Sequence, residues 1–168
     1  TATTEIYTLS LTTLFRSLRL GADVPVCLTM APEHIEGVGE IISPLDIRSA
    51  GPILLANPGT ALFTGDVFRS LTRSDVTGRQ LNPVHALDGA NPCQLTRYGN
   101  DLQAPACRLM PEIATLLTTL AAQNGADAVG MSGSGATCFA IYSSQTACEA
   151  AVSELLAKNI WAVATKII

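Results

Sequence analysis

The sequence predicts an α+β protein: a ferredoxin-like βαββαβ domain, with an antiparallel sheet and helices on one face, preceded by a short remnant of another domain. Three observations predict it. From Gly51 onward, apolar runs of strand length alternate with helical apolar periodicity in the order β-α-β-β-α-β, which is the order of a split βαβ arrangement. Upstream of Gly51 the elements are too few to build a core, so residues 1–50 read as the tail of something larger and residues 51–168 as a domain. No internal repeat or low-complexity tract competes with that pattern.

Taken in order, Leu11, Leu14, Phe15 and Leu18 fit one helical face, which predicts a short amphipathic helix over Leu9–Leu20. Val24–Met30 reads as a strand, and Glu33–Ser43 as a turn with a return strand at Ile41-Ile42. Pro52–Asn57 is a strand ended by the turn Asn57-Pro58-Gly59. Gly65–Leu71 forms a helical turn, and Thr72–Pro92, without periodicity, reads as a long loop. Asn100 is placed to cap a helix beginning at Asp101-Leu102-Gln103. Pro111 fits the first turn of the next helix, Glu112–Ala122, with apolar positions 113, 116, 117 and 120 and a stop at Asn124-Gly125. Ala126–Gly130 and Cys138–Tyr142 are strands on either side of a Gly/Ser turn. Gln145–Lys158 is a helix carrying Cys148, Ala151, Val152 and Leu155 inward, and Ile160–Ile168 is the last strand.

Composition narrows the function classes. With 168 residues, 48% hydrophobic and 14% charged, the chain can bury about 70% of its unfolded surface without a metal or disulfide. Net charge is −4 and the ten basic residues are scattered, so no nucleic-acid partner is expected, because a phosphate-backbone binder clusters its Lys and Arg. No run of 18 apolar residues predicts a membrane span, and Thr1–Leu20 shows no signal-peptide pattern. Cys27, Cys93, Cys107, Cys138 and Cys148 form an odd set without a CxxC pair, and His34 and His85 are the only histidines. Neither a disulfide framework, a metal site nor a Ser-His-Asp triad is expected from that material. Free core thiols of a cytoplasmic protein are expected instead.

Three stretches could carry chemistry. Met131-Ser132-Gly133-Ser134-Gly135-Ala136-Thr137 joins two strands. Its small residues either make a plain hairpin turn or let backbone N–H groups converge on an anion, usually a phosphate. Asp23, in Leu20-Gly21-Ala22-Asp23-Val24-Pro25-Val26, either caps a turn or accepts a proton from an attacking hydroxyl. Asn57-Pro58-Gly59 with Thr64, Gly65 and Phe68 ends a strand, where ligand loops often lie. Phe68 either plugs into the core or stacks on a flat ring. Asn100-Asp101-Leu102 reads as a capping device.

Taken together, LGADVPVCL, EGVGEIISPLD, GPILLANPGTALFTGDVF, YGNDLQAPAC and GADAVGMSGSGATCFAIY, in that order, resemble the carboxy-terminal portion of the 4-diphosphocytidyl-2-C-methyl-D-erythritol kinases, a branch of the GHMP kinase superfamily. MSGSGAT alone points to the superfamily, whereas LGADVPV and the NPG and TGDVF segments narrow it to this branch. The resemblance runs from about Leu20 to Ile168. It implies ATP- and Mg²⁺-dependent phosphorylation of the 2-hydroxyl of a cytidine-diphosphate-linked methylerythritol, in the non-mevalonate route to isoprenoids. By that resemblance Asp23 matches the catalytic aspartate. Gly133, Ser134, Gly135, Ala136 and Thr137 match the glycine turn beside the phosphates, Phe68 the aromatic covering one cytosine face, and Thr64 a residue of the same substrate loop. It also implies that residues 1–50 end an amino-terminal, ATP-binding domain.

The family's lysine near the reacting hydroxyl, its Gly/Ser-rich phosphate loop and its second cytosine-stacking aromatic have no match. The only lysines are Lys158 and Lys166, and Thr1–Leu20 holds no glycine. The expectation is therefore a kinase portion that is inactive without an amino-terminal half. The alternative is a non-catalytic module that holds a nucleotide or partner through the Asn57–Phe68 loop and the Gly/Ser turn.

Overall fold

A computed structural model describes residues 32–37, 41–47, 51–77 and 91–166. They fall into two compact units, one holding the hairpin before Ile47 and the other everything from Gly51 onward. The helix expected over Leu9–Leu20, the strand expected over Val24–Met30, Asp23 and Cys27 lie outside the described residues.

In the first unit, β1 (Glu33–Glu36) and β2 (Ile41–Pro44) pair antiparallel, from Glu33 opposite Pro44 to Glu36 opposite Ile41. Glu33–Glu36 is thus a strand, where the sequence reading had a turn. Four residues, Glu33-His34-Ile35-Glu36, give too short a signal to separate the two.

The second unit opens with β3 (Pro52–Asn57). Four helical segments follow: α1 (Thr64–Arg69), α2 (Pro92–Leu95) running into a 3₁₀ turn (Thr96–Tyr98), α3 (Gln103–Leu109) and α4 (Pro111–Ala121). Then come β4 (Ala126–Met131), β5 (Cys138–Tyr142), α5 (Gln145–Ala157) and β6 (Trp161–Lys166). The sheet order is β4-β5-β3-β6, with every neighbouring pair antiparallel. β3 therefore lies between the parallel strands β5 and β6, and β5 between the parallel strands β3 and β4. That is the expected ferredoxin-like topology.

The sheet buries one face against helices because its strands alternate. Leu54 and Ala56 of β3, with Cys138, Ala140 and Tyr142 of β5, pack with Ile113, Leu116 and Leu120 of α4 and Cys148, Ala151 and Leu155 of α5. The helical residues recur at three- and four-residue spacing, which keeps them on one stripe. Pro111 occupies the first turn of α4, where its missing N–H costs nothing, and the Ser144 hydroxyl caps α5 by accepting from the Ala147 N–H at 3.3 Å. No described helix is long and apolar enough to cross a membrane. Cys93, Cys107, Cys138 and Cys148 are free thiols, but only Cys138 and Cys148 lie in the core; Cys93 and Cys107, on helices at its margin, are half-buried.

Candidate active site

β3 ends, β5 begins and β4 ends at the same edge of the unit, because Ala56 faces Cys138 and Cys138 faces Met131 across the sheet. The Asn57-Pro58-Gly59 turn and the 132–137 turn are thereby brought side by side. The Gly59 N–H donates to the Asn57 side-chain oxygen at 2.8 Å, which shapes the first turn, while Asn57 Nδ2 donates to Thr137 Oγ1 at 3.0 Å and ties it to the second.

The Gly/Ser turn is closed twice. The Ser132 N–H donates to the Thr137 carbonyl at 2.9 Å, and the Gly135 N–H to the Ser132 carbonyl at 2.9 Å. The second bond makes residues 132–135 a β-turn with Gly133 (φ +54°) at its first central position. Glycine is favoured there because a positive φ is strained for other residues. Gly135 (φ +88°) is required for a second reason: a Cβ on it would lie 2.9 Å from Met131 Sδ and 3.3 Å from Ile113 Cδ1. A Cβ on Gly133 would meet nothing within 4 Å. The N–H groups of Gly133 and Ser134 have no hydrogen-bond partner among the described residues, and Gly133 is exposed. Ala136 is buried in the core.

The Thr64 and Ser134 hydroxyls share a hydrogen bond of 2.9 Å across 70 residues of sequence. Two of the residues singled out from sequence, in separate motifs, are thus in direct contact. Thr64 opens α1, a helix of six residues whose only buried member is Val67. Phe68, its neighbour, is 56% exposed. The core-plug reading of Phe68 is therefore set aside: Val67 fills that role, and the Phe68 ring is free to meet a flat ligand.

Sequence reasoning missed the residues that hold this arrangement. Asn100 does cap locally, its Oδ1 accepting from the Leu102 N–H at 2.9 Å, but α3 begins only at Gln103. Its Nδ2 reaches across the fold to the carbonyls of Met131 (3.0 Å) and Gly133 (2.7 Å). Residues 70–77, at the start of what the sequence reads as a long loop without periodicity, are also anchored. Arg108 binds Asp75 in a fork, Nη1 to Oδ1 and Nη2 to Oδ2 at 2.8 Å each, and Nη2 also donates to the Ser70 carbonyl at 2.9 Å. The Thr72 N–H and hydroxyl donate to the same Asp75 carboxylate at 2.8 and 2.6 Å. The Thr77 hydroxyl donates to Asp101 at 2.9 Å. Arg108, then Thr72, holds the Asp75 carboxyl well below the usual carboxylate range.

A cavity of about 490 Å³ lies on the Asn100 side of the turn, lined by Thr77, Tyr98, Asn100, Asp101, Met131 and Gly133 among others. Cys138 follows Thr137 directly, but burial pushes its thiol up to about 12, so it is no nucleophile at neutral pH. Among the described residues no group of three His, Cys, Asp or Glu could hold a metal ion. The unpaired Gly133 and Ser134 amides suit an anion.

Comparison with known proteins agrees with this fold. The family described as "GHMP kinases C terminal" matches residues 82–160. A 4-diphosphocytidyl-2-C-methyl-D-erythritol kinase of Cereibacter sphaeroides is 41% identical over 151 residues, 84% of this chain and 52% of the relative. Its counterpart in Paracoccus denitrificans is 43% identical over 142 residues, 83% and 51% respectively. The crystal structure of a 4-(cytidine 5'-diphospho)-2C-methyl-D-erythritol kinase superposes with a TM-score of 0.68 at 30% identity, covering 88% of this chain and 53% of that one. A homoserine kinase from Cytophaga hutchinsonii shares the fold, with a TM-score of 0.61 at 17% identity, over 88% of this chain and 51% of its own. The chain spans about half the length of the curated relatives it matches. It belongs to the GHMP kinase superfamily, and over most of its length it matches the 4-diphosphocytidyl-2-C-methyl-D-erythritol kinases.

Proposed function

We propose that this chain is the carboxy-terminal portion of an ATP-dependent kinase that phosphorylates the 2-hydroxyl of 4-diphosphocytidyl-2-C-methyl-D-erythritol. Residues 1–50 are assigned to the end of the amino-terminal, ATP-binding domain and residues 51–168 to the carboxy-terminal domain. The observation that best supports this reading is the Thr64–Ser134 hydrogen bond, which joins the substrate loop to the phosphate turn.

In the proposed reaction the 2-hydroxyl oxygen forms a bond to the γ-phosphorus of ATP while the bond from that phosphorus to the bridging oxygen breaks, releasing ADP. The hydroxyl proton passes to the Asp23 carboxylate. Such transfers depend mainly on positioning and on stabilising spread negative charge. Three groups of residues have that task here. The Phe68 ring covers one cytosine face. Thr64 steadies the loop beside it. The free amides of Gly133 and Ser134, in the turn that runs to Thr137, meet phosphate oxygens, with Gly135 and Ala136 keeping the backbone close. Mg²⁺ and most of the nucleotide cradle, including a lysine near the acceptor hydroxyl, come from the amino-terminal half.

The test is to combine the chain with the half of the Paracoccus denitrificans kinase that lies outside the match. ADP release is then measured with ATP, Mg²⁺ and the cytidyl substrate. The chain alone is expected to be inactive and the combination active, with Asp23→Asn lowering turnover by about 10²- to 10⁴-fold. A combination that folds and binds both substrates without turnover, or an Asp23→Asn variant as fast as the parent, overturns the reading in favour of a non-catalytic module.

A further inference from the structure

The Asn100 side chain does more than cap a turn. A trans peptide unit is planar, with its C=O and N–H pointing in opposite directions. A side chain that grips a carbonyl therefore also aims the N–H of the following residue. Asn100 Nδ2 grips two carbonyls of the Gly/Ser segment. At Met131, the matching N–H is that of Ser132, which points away and closes the hairpin onto the Thr137 carbonyl. At Gly133, the matching N–H is that of Ser134, which has no partner among the described residues. Ser134 is also the residue whose hydroxyl contacts Thr64.

The Gly133–Ser134 unit is the central peptide of the β-turn closed by the Gly135 N–H. Inverting the central peptide of a turn changes ψ of the residue before it and φ of the residue after it, so Gly133 keeps its positive φ while Ser134, now at negative φ, would move to a positive one. Inversion would leave the Ser132–Gly135 bond in place but present the Gly133 carbonyl, an acceptor, where Ser134 now presents a donor. An anion would then be repelled from the turn. The 2.7 Å bond from Asn100 to the Gly133 carbonyl opposes that inversion.

We propose that Asn100 is a positioning residue: by holding the Gly133 carbonyl it locks the Gly133–Ser134 peptide so that the Ser134 N–H faces a bound phosphate. This rests on the reading of the turn as a phosphate-binding element. It adds the residue that selects the binding-competent form. Asn100 touches no ligand in this account and acts only through the peptide.

Two substitutions isolate the donor from the cap. Asn100→Asp keeps an oxygen for the Leu102 N–H but replaces the donor with an oxygen facing two carbonyls. Asn100→Ser keeps a capping hydroxyl too short to reach Met131 or Gly133. Amide NMR of the full chain is followed during titration with inorganic pyrophosphate, with the melting temperature as a check on folding. In the parent, the Ser134 amide is expected to shift and saturate. Both variants, still folded, are expected to bind at least tenfold more weakly, with shifts in the unliganded spectrum concentrated at Gly133, Ser134 and Gly135. Asn100→Ser, which introduces no charge, keeps the test independent of any misfolding of Asn100→Asp.

A folded Asn100→Ser chain that binds pyrophosphate like the parent overturns the proposal and leaves the phosphate turn intact. A parent chain whose Ser134 amide ignores pyrophosphate overturns the phosphate reading itself, and the proposal with it. In the combined kinase, Asn100→Ser is expected to lower kcat about tenfold with the KM for the cytidyl substrate unchanged. A rise in that KM at constant kcat contradicts a role at the phosphate.

Discussion

The two loops that meet at Thr64 and Ser134 are held by different kinds of interaction. Neutral side-chain amides brace the Gly/Ser turn: Asn57 holds the Thr137 hydroxyl, and Asn100 holds the Met131 and Gly133 carbonyls. Charge braces the segment after α1, through the Arg108–Asp75 fork with Thr72 adding two donors to the same carboxylate. Neutral braces do not change with pH and bring no net charge to a bound anion. A full charge beside the turn would attract or repel phosphate before chemistry began. The ion pair instead holds the end of α1, where Arg108 Nη2 also donates to the Ser70 carbonyl. On this view the turn is held for geometry and the segment after α1 for firmness, and each brace fails under a different perturbation.

The largest expected effect is at the turn. Gly135→Ala combines a positive φ, costing about 1–2 kcal/mol, with a Cβ only 2.9 Å from Met131 Sδ and 3.3 Å from Ile113 Cδ1, an overpacking of about 1–3 kcal/mol. A loss of about 3 kcal/mol in urea unfolding is expected. Gly133→Ala shares the positive φ but meets empty space, so about 1 kcal/mol is expected there. Equal losses at the two positions would show that backbone conformation alone fixes the turn, and that its packing onto α4 contributes nothing.

That pair of glycines also marks where reading the sequence stopped. Alternation and three- to four-residue spacing are local signals, so β3, β5, α4 and α5 came out within a residue or two, and with them the sheet order. α2 was missed although its start is legible afterwards: Asn91 accepts from the Cys93 N–H and its own N–H donates to the Gln94 side chain, a capping box ahead of Pro92. The Gly/Ser turn was legible as a turn, and the resemblance named Thr64 and Phe68. What holds them was not legible, because its partners are distant. Asn100 shows the division within one side chain. Its oxygen serves Leu102, two residues on, and the sequence announces that. Its nitrogen serves residues 31 and 33 positions away, and nothing local announces that. Val67 and Phe68 show another limit: on a six-residue helix, hydropathy cannot say which of two adjacent apolar residues faces inward.

The second test sharpens the comparison on the substrate side. Val67→Ala should cost about 2 kcal/mol of stability, since its side chain is fully buried. Phe68→Ala should leave the unfolding midpoint almost unchanged. In the combined kinase it should raise the KM for the cytidyl substrate about tenfold, within the ~1–3 kcal/mol that ring stacking contributes. A Phe68→Ala variant that loses stability while keeping its KM would return Phe68 to the core and remove it from the site.

Acid separates the two braces. The folded state holds the Asp75 carboxyl below its ordinary value of 3.8, so this group stabilises the fold fully above the unfolded pKa. That contribution falls away as pH drops below about 4 toward the lower folded value. Between pH 5 and 8 it is constant. Asp75→Asn should therefore lower the melting temperature at pH 7 and remove part of the acid-side decline seen in the parent. The effect should be smaller than that of Gly135→Ala, because Arg108 is half-exposed and solvent screens the pair. Parent and variant curves that run parallel from pH 7 to pH 3 would mean that the fork contributes nothing to folding.

The smallest effect is expected where the two loops are joined by one neutral bond. Thr137→Val removes the oxygen that accepts from Asn57 Nδ2 but leaves the Gly59-to-Asn57 bond that shapes the neighbouring turn. A loss of about 1 kcal/mol follows from one half-buried hydrogen bond. Asn57→Ala should cost more, because it removes the turn-shaping acceptor as well. The informative quantity is their coupling in a double-mutant cycle, which subtracts that extra cost and isolates the bond between the turns. A coupling of about 1 kcal/mol, unchanged from pH 7 to pH 4, identifies a neutral brace acting between two otherwise separate loops. A coupling below about 0.3 kcal/mol would mean that β3 and β5 pairing alone aligns the turns. Asn100 and Thr64 would then be left, among the described residues, to hold the Gly/Ser turn from outside it.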